Sequence, residues 1–278
     1  MVRWIRPWPA PVLALAVLAA GRGAAADNSA STPDRPEAHT VRMIEGWKVR
    51  VDDRLLGSPH AELGRRSLRF LEGKLVDIVE VLPAAHVQAL RAVTIVLDLD
   101  HGGLHGMQYH PSARWLEDHG YDRALAQCVH LCEAPRLVTP RNIREQPWCI
   151  LHELAHAYHD QVLGFDEPRV LAAYEQYRAG GHGEHTLLFD GRRVRHYALT
   201  DHKEFFAEMT EAYFGTNDFF PFNRAELLTA EPEIHALMQA IWEAEDTVPN
   251  DQNQLAPDGG SAVSGPARRS FVPPYESH

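Results

Sequence analysis

Apolar residues recur along this chain with two periods, and the change from one to the other marks out its elements. Leu68, Leu71, Leu75, Ile78, Val79 and Leu82 repeat at helical spacing, which predicts a helix from about Ala61 to Leu82, ending before Pro83. A shorter helix is expected around Ala84 to Arg91. It leads into Ala92-Val93-Thr94-Ile95-Val96-Leu97-Asp98, whose β-branched run is the best strand in the sequence. Val41 to Ile44 and Trp47 to Val51, joined through Glu45-Gly46, predict a hairpin, and Met107 to His110 a weaker strand.

Further along, Leu151, Leu154, Ala155, Tyr158 and Val162 form a stripe at i, i+3, i+4, i+7 and i+11, with Pro147 at the start and Gly164 as the stop. A helix around Pro168 to Arg178 and a glycine-rich turn at Gly180-Gly181-His182-Gly183 follow. Thr186 to Phe189 and Arg192 to Tyr197 flank Asp190-Gly191, the residue pair that favours a tight hairpin turn. From Asp201 a helix carries Phe205, Phe206, Met209, Ala212 and Tyr213 on its apolar side and stops at Gly215. Helices at about Asn223 to Leu228 and Glu231 to Ala244 complete the series. The expected class is α+β, mainly helical with a small sheet.

The two ends read differently. Arg3 and Arg6 precede an apolar run from Pro11 to Ala20, and Ala24-Ala25-Ala26 offers a cleavage site before Asp27, so residues 1–26 are expected to be a secretory signal peptide. No later segment has the length of a membrane span. Residues 27–38 and 247–278, rich in Pro, Ser, Gly, Asp and Asn, are expected as disordered tails around one domain at 39–246. Secretion or export to a periplasm is the expected destination. The formal charge of −11 becomes more negative on cleavage, because residues 1–26 hold three arginines and no acid; an acidic surface repels phosphates and excludes nucleic acid as a partner. Cys128, Cys132 and Cys149 allow at most one internal disulfide, with no means of choosing the pair.

The chemistry is concentrated in His152-Glu153-Leu154-Ala155-His156. Two histidines four apart on a helix point the same way and can bind one zinc ion, leaving Glu153 beside it as a base for an attacking water. A third ligand must come from elsewhere. Glu204, Glu208 and Glu211 share a face of the later helix, and spacing alone does not choose among them or distinguish them from a solvated stripe. A second His-rich stretch, His101 to His110, reads as the rim of the active-site cleft; a cysteine-based zinc site at Cys128, His130, Cys132 and Cys149 is a minor alternative.

H-E-x-x-H followed about 48 residues later by Glu204-Phe205-Phe206-Ala207-Glu208, with Tyr197 seven positions before the first glutamate, resembles the gluzincin metallopeptidases. Within them it is most like the catalytic domain of anthrax lethal factor and, less closely, the secreted Pro-Pro endopeptidases. The similarity covers roughly residues 145–215. It implies a zincin-like fold with an active-site hairpin; zinc held by His152, His156 and Glu204; Glu153 as general base; and Tyr197 as the hydroxyl that stabilises the oxyanion. Glu208 would then accept a hydrogen bond from a ligand histidine. Strand alternation would put Arg193, Arg195 and Tyr197 on one face, so that the arginines could line the cleft and favour an acidic substrate; His196 and His202 are the runners-up for oxyanion donor. Ala155 and Glu208 depart from the glycine and aspartate that many gluzincins carry. The resulting expectation is a secreted zinc peptidase acting on a peptide or protein substrate. The alternatives are a zinc amidase or deacetylase acting on cell-wall material, and a zinc-containing binding module without turnover.

Overall fold

The computed structural model describes residues 35–243. The expected signal peptide, most of the expected N-terminal tail and the expected C-terminal tail lie outside the described residues. Residues 35–38, placed in the tail by composition, run beside the sheet, where the Arg35 guanidinium sits 5.0 Å over the Tyr121 ring.

Strands β1 (His39–Ile44) and β2 (Trp47–Asp52) pair antiparallel with Ile44 opposite Trp47. The two-residue loop between them needs positive φ at both positions, and Glu45 and Gly46 supply 49° and 87°. Helices α1 (Ala61–Val81) and α2 (Ala84–Arg91) then cross over to β3 (Thr94–Leu97). Next come β4 (Met107–Tyr109), α3 (Ala113–Asp118) and β5 (Cys128–Leu131). The five strands lie in the order β1-β2-β3-β5-β4; β3 is parallel to both neighbours, and β1 and β4 run antiparallel at the edges. The chain is α+β, and among its described residues no helix is long and apolar enough to cross a membrane.

Side chains alternate across this sheet and divide it into two unequal cores. Ile95, Leu97, Val129 and Leu131 point into the main core, whereas Val96, Cys128 and Cys132 meet Leu104, Leu116 and Leu125 on the opposite face. β5 was not visible in the sequence because it is buried on both faces and so lacks the polar–apolar alternation of a half-exposed strand. The three cysteines are unpaired, buried thiols. Cys128 and Cys132 serve the small core and Cys149 the large one, so they do not converge on a common metal. Burial pushes the Cys149 thiol up to about 12, as expected of an inert apolar filler.

Over the main face, α4 (Ala134–Leu137) and α5 (Pro140–Arg144) lead into α6 (Cys149–Tyr158). α6 continues as a single wider π turn, His159–Leu163, before Gly164 stops it at φ 84°. A π turn advances fewer degrees per residue than an α-helix, which rotates Val162 off the apolar stripe into solvent, at 51% exposure. α7 (Pro168–Gly180) is followed by β6 (Thr186–Leu187) and β7 (Arg193–Val194), which form the expected hairpin but with only two residues per strand. The chain then turns inward. His196 N–H donates to the Gly183 carbonyl (2.7 Å), and Tyr197–Leu199 form a 3₁₀ turn rather than a continuing strand. α8 (His202–Phe214) packs directly on α6, with Phe205 and Phe206 buried; α9 (Arg224–Ala230) and α10 (Pro232–Trp242) close the core, the latter with Trp242.

Candidate metal centre and active site

Nearly every residue of α6 is buried, so the helix is held on all sides and the two histidines emerge at its single open flank. Their Nε2 atoms lie 3.2 Å apart. The third group comes from the first turn of α8. Asp201 caps this helix, its Oδ1 accepting from the backbone N–H groups of Lys203 (2.8 Å) and Glu204 (3.0 Å), and the cap sets where Glu204 begins. Glu204 Oε2 lies 3.1 Å from His152 Nε2 and 3.4 Å from His156 Nε2.

These three separations test whether the residues fit zinc. Bonds of about 2.0–2.2 Å from a tetrahedral ion to nitrogen and oxygen place the ligand atoms about 3.3 Å apart. The triangle of 3.1, 3.2 and 3.4 Å matches that edge length on all three sides. In the metal-free site the 3.1 Å contact also serves as a hydrogen bond between His152 and Glu204, longer than the about 2.7–2.9 Å usual for a charge-assisted one. Two imidazoles and one carboxylate are also a donor set that zinc accepts. The site fits the ion.

Around the triangle, Glu153 is almost fully buried, and that burial raises its carboxyl above the usual range against the opposing pull of His152 and His156. Tyr197 brings its hydroxyl to Glu204 Oε1, donating at 3.3 Å. Burial, together with the charges of Glu204, Glu153 and Glu208, holds the phenol well above its ordinary pKa, so it stays protonated and able to donate.

The partner of His152 on its far side is not the one expected. Nδ1–H donates to Glu211 Oε1 at 2.7 Å, while the nearer Glu208 oxygen is 3.7 Å away. Glu208 is taken up instead by Asn217, whose Nδ2 donates to both its Oε2 (3.0 Å) and its carbonyl (2.8 Å). Helix periodicity gives the reason: Glu211, seven residues after Glu204, returns to within about 20° of it, whereas Glu208 is rotated by about 40°. Glu211 was visible in the acidic stripe, but only the packing of α8 on α6 selects it. Burial and the neighbouring Glu211 charge push Glu208 well above the carboxylate range, and burial raises Asp218 to about 7 despite Arg141 at 3.2 Å.

Other expected residues lie elsewhere. Arg193 and Arg195 are exposed and tie down their own loop, donating to the carbonyls of His185 (3.1 Å) and Leu199 (2.8 Å), because the 3₁₀ turn ends the alternation that would have aimed them at the cleft. His196 is fully buried, stacks on Phe219, and accepts from its own turn at Ala198 N–H; burial holds it down to about 3, so it remains neutral. His202 packs edge-on against His159. Of the expected rim, His101–His110, β4 does lie at this cleft, with the Tyr109 backbone hydrogen-bonded to Glu153, but the histidines do not. His101 and His110 are buried and join Asp98 and His130, with His110 and His130 on the sheet face away from α6; only His105 is exposed.

The three groups of metal-binding type among the described residues are thus His152, His156 and Glu204; Asp98, His101 and His130; and His152, Glu208 and Glu211. Comparison of the chain with protein-family models, characterised proteins and solved structures finds no match.

Proposed function

We propose that this chain is an exported zinc metallohydrolase of the gluzincin type that cleaves peptide bonds. The observation that carries the reading is the triangle of His152, His156 and Glu204, whose edges suit a tetrahedral zinc ion and whose members come from two separate helices. Zinc bound there would supply Lewis acidity to a substrate carbonyl.

The chain's own groups account for the remaining steps. Glu153 takes a proton from the attacking water and passes it to the leaving amine, a task suited to a carboxyl whose affinity for protons has been raised by burial. Tyr197 donates its hydroxyl hydrogen to the oxygen on which negative charge develops. Glu211 holds His152 with its proton on Nδ1, leaving Nε2 free for the metal. The edge strand β4, packed beside α6, offers its outer backbone groups to an extended peptide, which favours a peptide over a compact substrate.

The test is digestion of a peptide library and, in parallel, of cell-wall material by zinc-loaded wild-type protein and Glu153→Gln. Peptide cleavage that falls at least about 10²-fold in the variant, with zinc retained, is expected. Release of cell-wall fragments alone would reassign the substrate to the amidase class. No hydrolysis of either by zinc-loaded protein would leave the binding module as the better account.

A further inference from the structure

Behind the sheet a second group of chemistry-bearing residues is built as carefully as the first. Asp98 follows the last residue of β3 and has no exposed surface. His130, in β5, is equally buried, and its Nε2 lies 2.8 Å from Asp98 Oδ2; His101 Nδ1 reaches the same oxygen at 2.6 Å. The other carboxylate oxygen, Oδ1, is held by His39 Nε2 from β1 at 2.7 Å. A fourth imidazole, His110, sets its Nε2 3.1 Å from His130 Nδ1. Elements far apart in sequence therefore converge on one carboxylate, and the ligand-type atoms of Asp98, His101 and His130 all lie within 4.8 Å of one another.

The arrangement has the parts of a metal site and of its support. Two ring nitrogens converge on one carboxylate oxygen, and the three atoms make up the donor set that zinc takes with a fourth position left for water. The groups behind them fix their orientation: His39 steadies the carboxylate through its other oxygen, and His110 pairs with the far nitrogen of His130. A cavity of roughly 530 Å³ reaches the cluster at His39 and His101, its other charged lining being Arg35, Lys48 and Arg50 with Glu37 and Asp122. Without an ion the same atoms hold one another at hydrogen-bond distance, and a tetrahedral ion requires the 2.6 and 2.8 Å separations to widen by about 0.5–0.7 Å, so that both imidazoles draw back from Asp98 Oδ2.

We propose that Asp98, His101 and His130 form a second zinc site, oriented by His39 and His110 and open to the cavity behind the sheet. It does not depend on the peptidase reading, because the sheet separates it from α6 and it shares no residue with that centre.

Zinc content and zinc titration of the purified full chain test it, with zinc alone as the ligand. Wild type should hold two equivalents and His101→Gln one. In a His152→Ala/His156→Ala background, which removes the first centre, one equivalent should remain, and Asp98→Asn should abolish it. Cobalt substituted into that background should give visible absorption that disappears with Asp98→Asn. His39→Ala should weaken zinc about 10–100-fold without changing the stoichiometry, the effect of losing an outer partner. Circular dichroism confirms that each variant is folded. The site is overturned if folded His152→Ala/His156→Ala protein holds no zinc, or if its zinc is indifferent to Asp98→Asn and His101→Gln. Should that background fail to fold, equal zinc content in wild type and His101→Gln overturns it instead. Loss of peptidase activity with two zinc ions retained would fault the catalytic reading and leave this one standing.

Discussion

At the level of single residues the structure separates groups that spacing made equivalent. Glu208 and Glu211 both lie on the acidic face of α8, yet only Glu211 hydrogen-bonds His152. Glu211→Gln should therefore lower zinc affinity about 10–100-fold, the usual effect of losing a partner behind a ligand histidine, and Glu208→Gln should lower it less. Competition against a chelating dye measures both, and the reverse ranking would show that the hydrogen bond is not what orients the ring. Tyr197 makes a sharper claim. Tyr197→Phe removes one hydroxyl and should leave zinc content and fold intact while kcat falls about 10²–10³-fold, with a smaller change in KM. An unchanged kcat would exclude Tyr197 as oxyanion donor.

At the level of elements, the site depends on how α6 meets α8, since each brings ligands that the other lacks. The contact is tight where α8 ends. A β-carbon at Gly215 would fall 1.8 Å from Trp148 Nε1, and Trp148 begins α6. Gly215→Ala must push the two helices apart or displace the indole, so a loss of about 1–3 kcal/mol is expected, as for other overpacked positions, together with weaker zinc binding. Gly73 supplies the control: it lies within α1 with nothing within 4 Å of an added β-carbon, and Gly73→Ala should stabilise by about 0.5–1 kcal/mol. Urea unfolding midpoints of the two variants should move in opposite directions; a Gly215→Ala midpoint equal to wild type would mean that the two helices can separate freely there.

For the whole molecule, metal, protons and stability are linked through the same residues. Burial alone would drive His152 down, but hydrogen bonds to Glu204 and Glu211 outweigh it and hold the metal-free imidazole well above its ordinary 6.5. Burial likewise works against the Glu204 carboxylate, and His156 and His152 outweigh it, holding Glu204 far below its ordinary 4.5. The signs are opposite. The stabilisation from His152 is complete below about pH 6.5 and lost as pH rises through the raised folded value. That from Glu204 is complete above about pH 4.5 and lost as pH falls toward the lowered one. The metal-free pair should therefore contribute most between about pH 4.5 and 6.5. Zinc must displace the His152 proton, so at pH 7 its binding at this centre should release about one proton, and affinity should climb about tenfold per pH unit until the imidazole is neutral. Calorimetry in buffers of different ionisation heat, with the His101→Gln variant to isolate this centre, measures the release; binding without it would show that His152 is already neutral.

Local patterns carried much of this molecule. Periodicity sufficed for α1, α2, α6, α8 and the first hairpin, because their faces are consistently one-sided and α1, α6 and α8 are stopped by proline or glycine. The two histidines and Glu153 were legible for the same reason: their relation lies within one helical turn. What the chain alone left open depends on contacts between distant segments. The sequence held three acids on α8, but the crossing with α6 sends Glu204 to the histidine Nε2 atoms and Glu211 to Nδ1. The hairpin was legible at Asp190-Gly191, yet burial of His196 cuts it short and aims Tyr197 from a 3₁₀ turn. Asp98 closed the β3 strand, His101 lay in a glycine-rich loop and His130 in a segment with no legible strand, until the parallel pairing of β3 with β5 brought them together. Sequence determines which faces a helix or strand presents, because that follows from period alone; which faces meet is decided by packing, where burial of the whole core selects one arrangement.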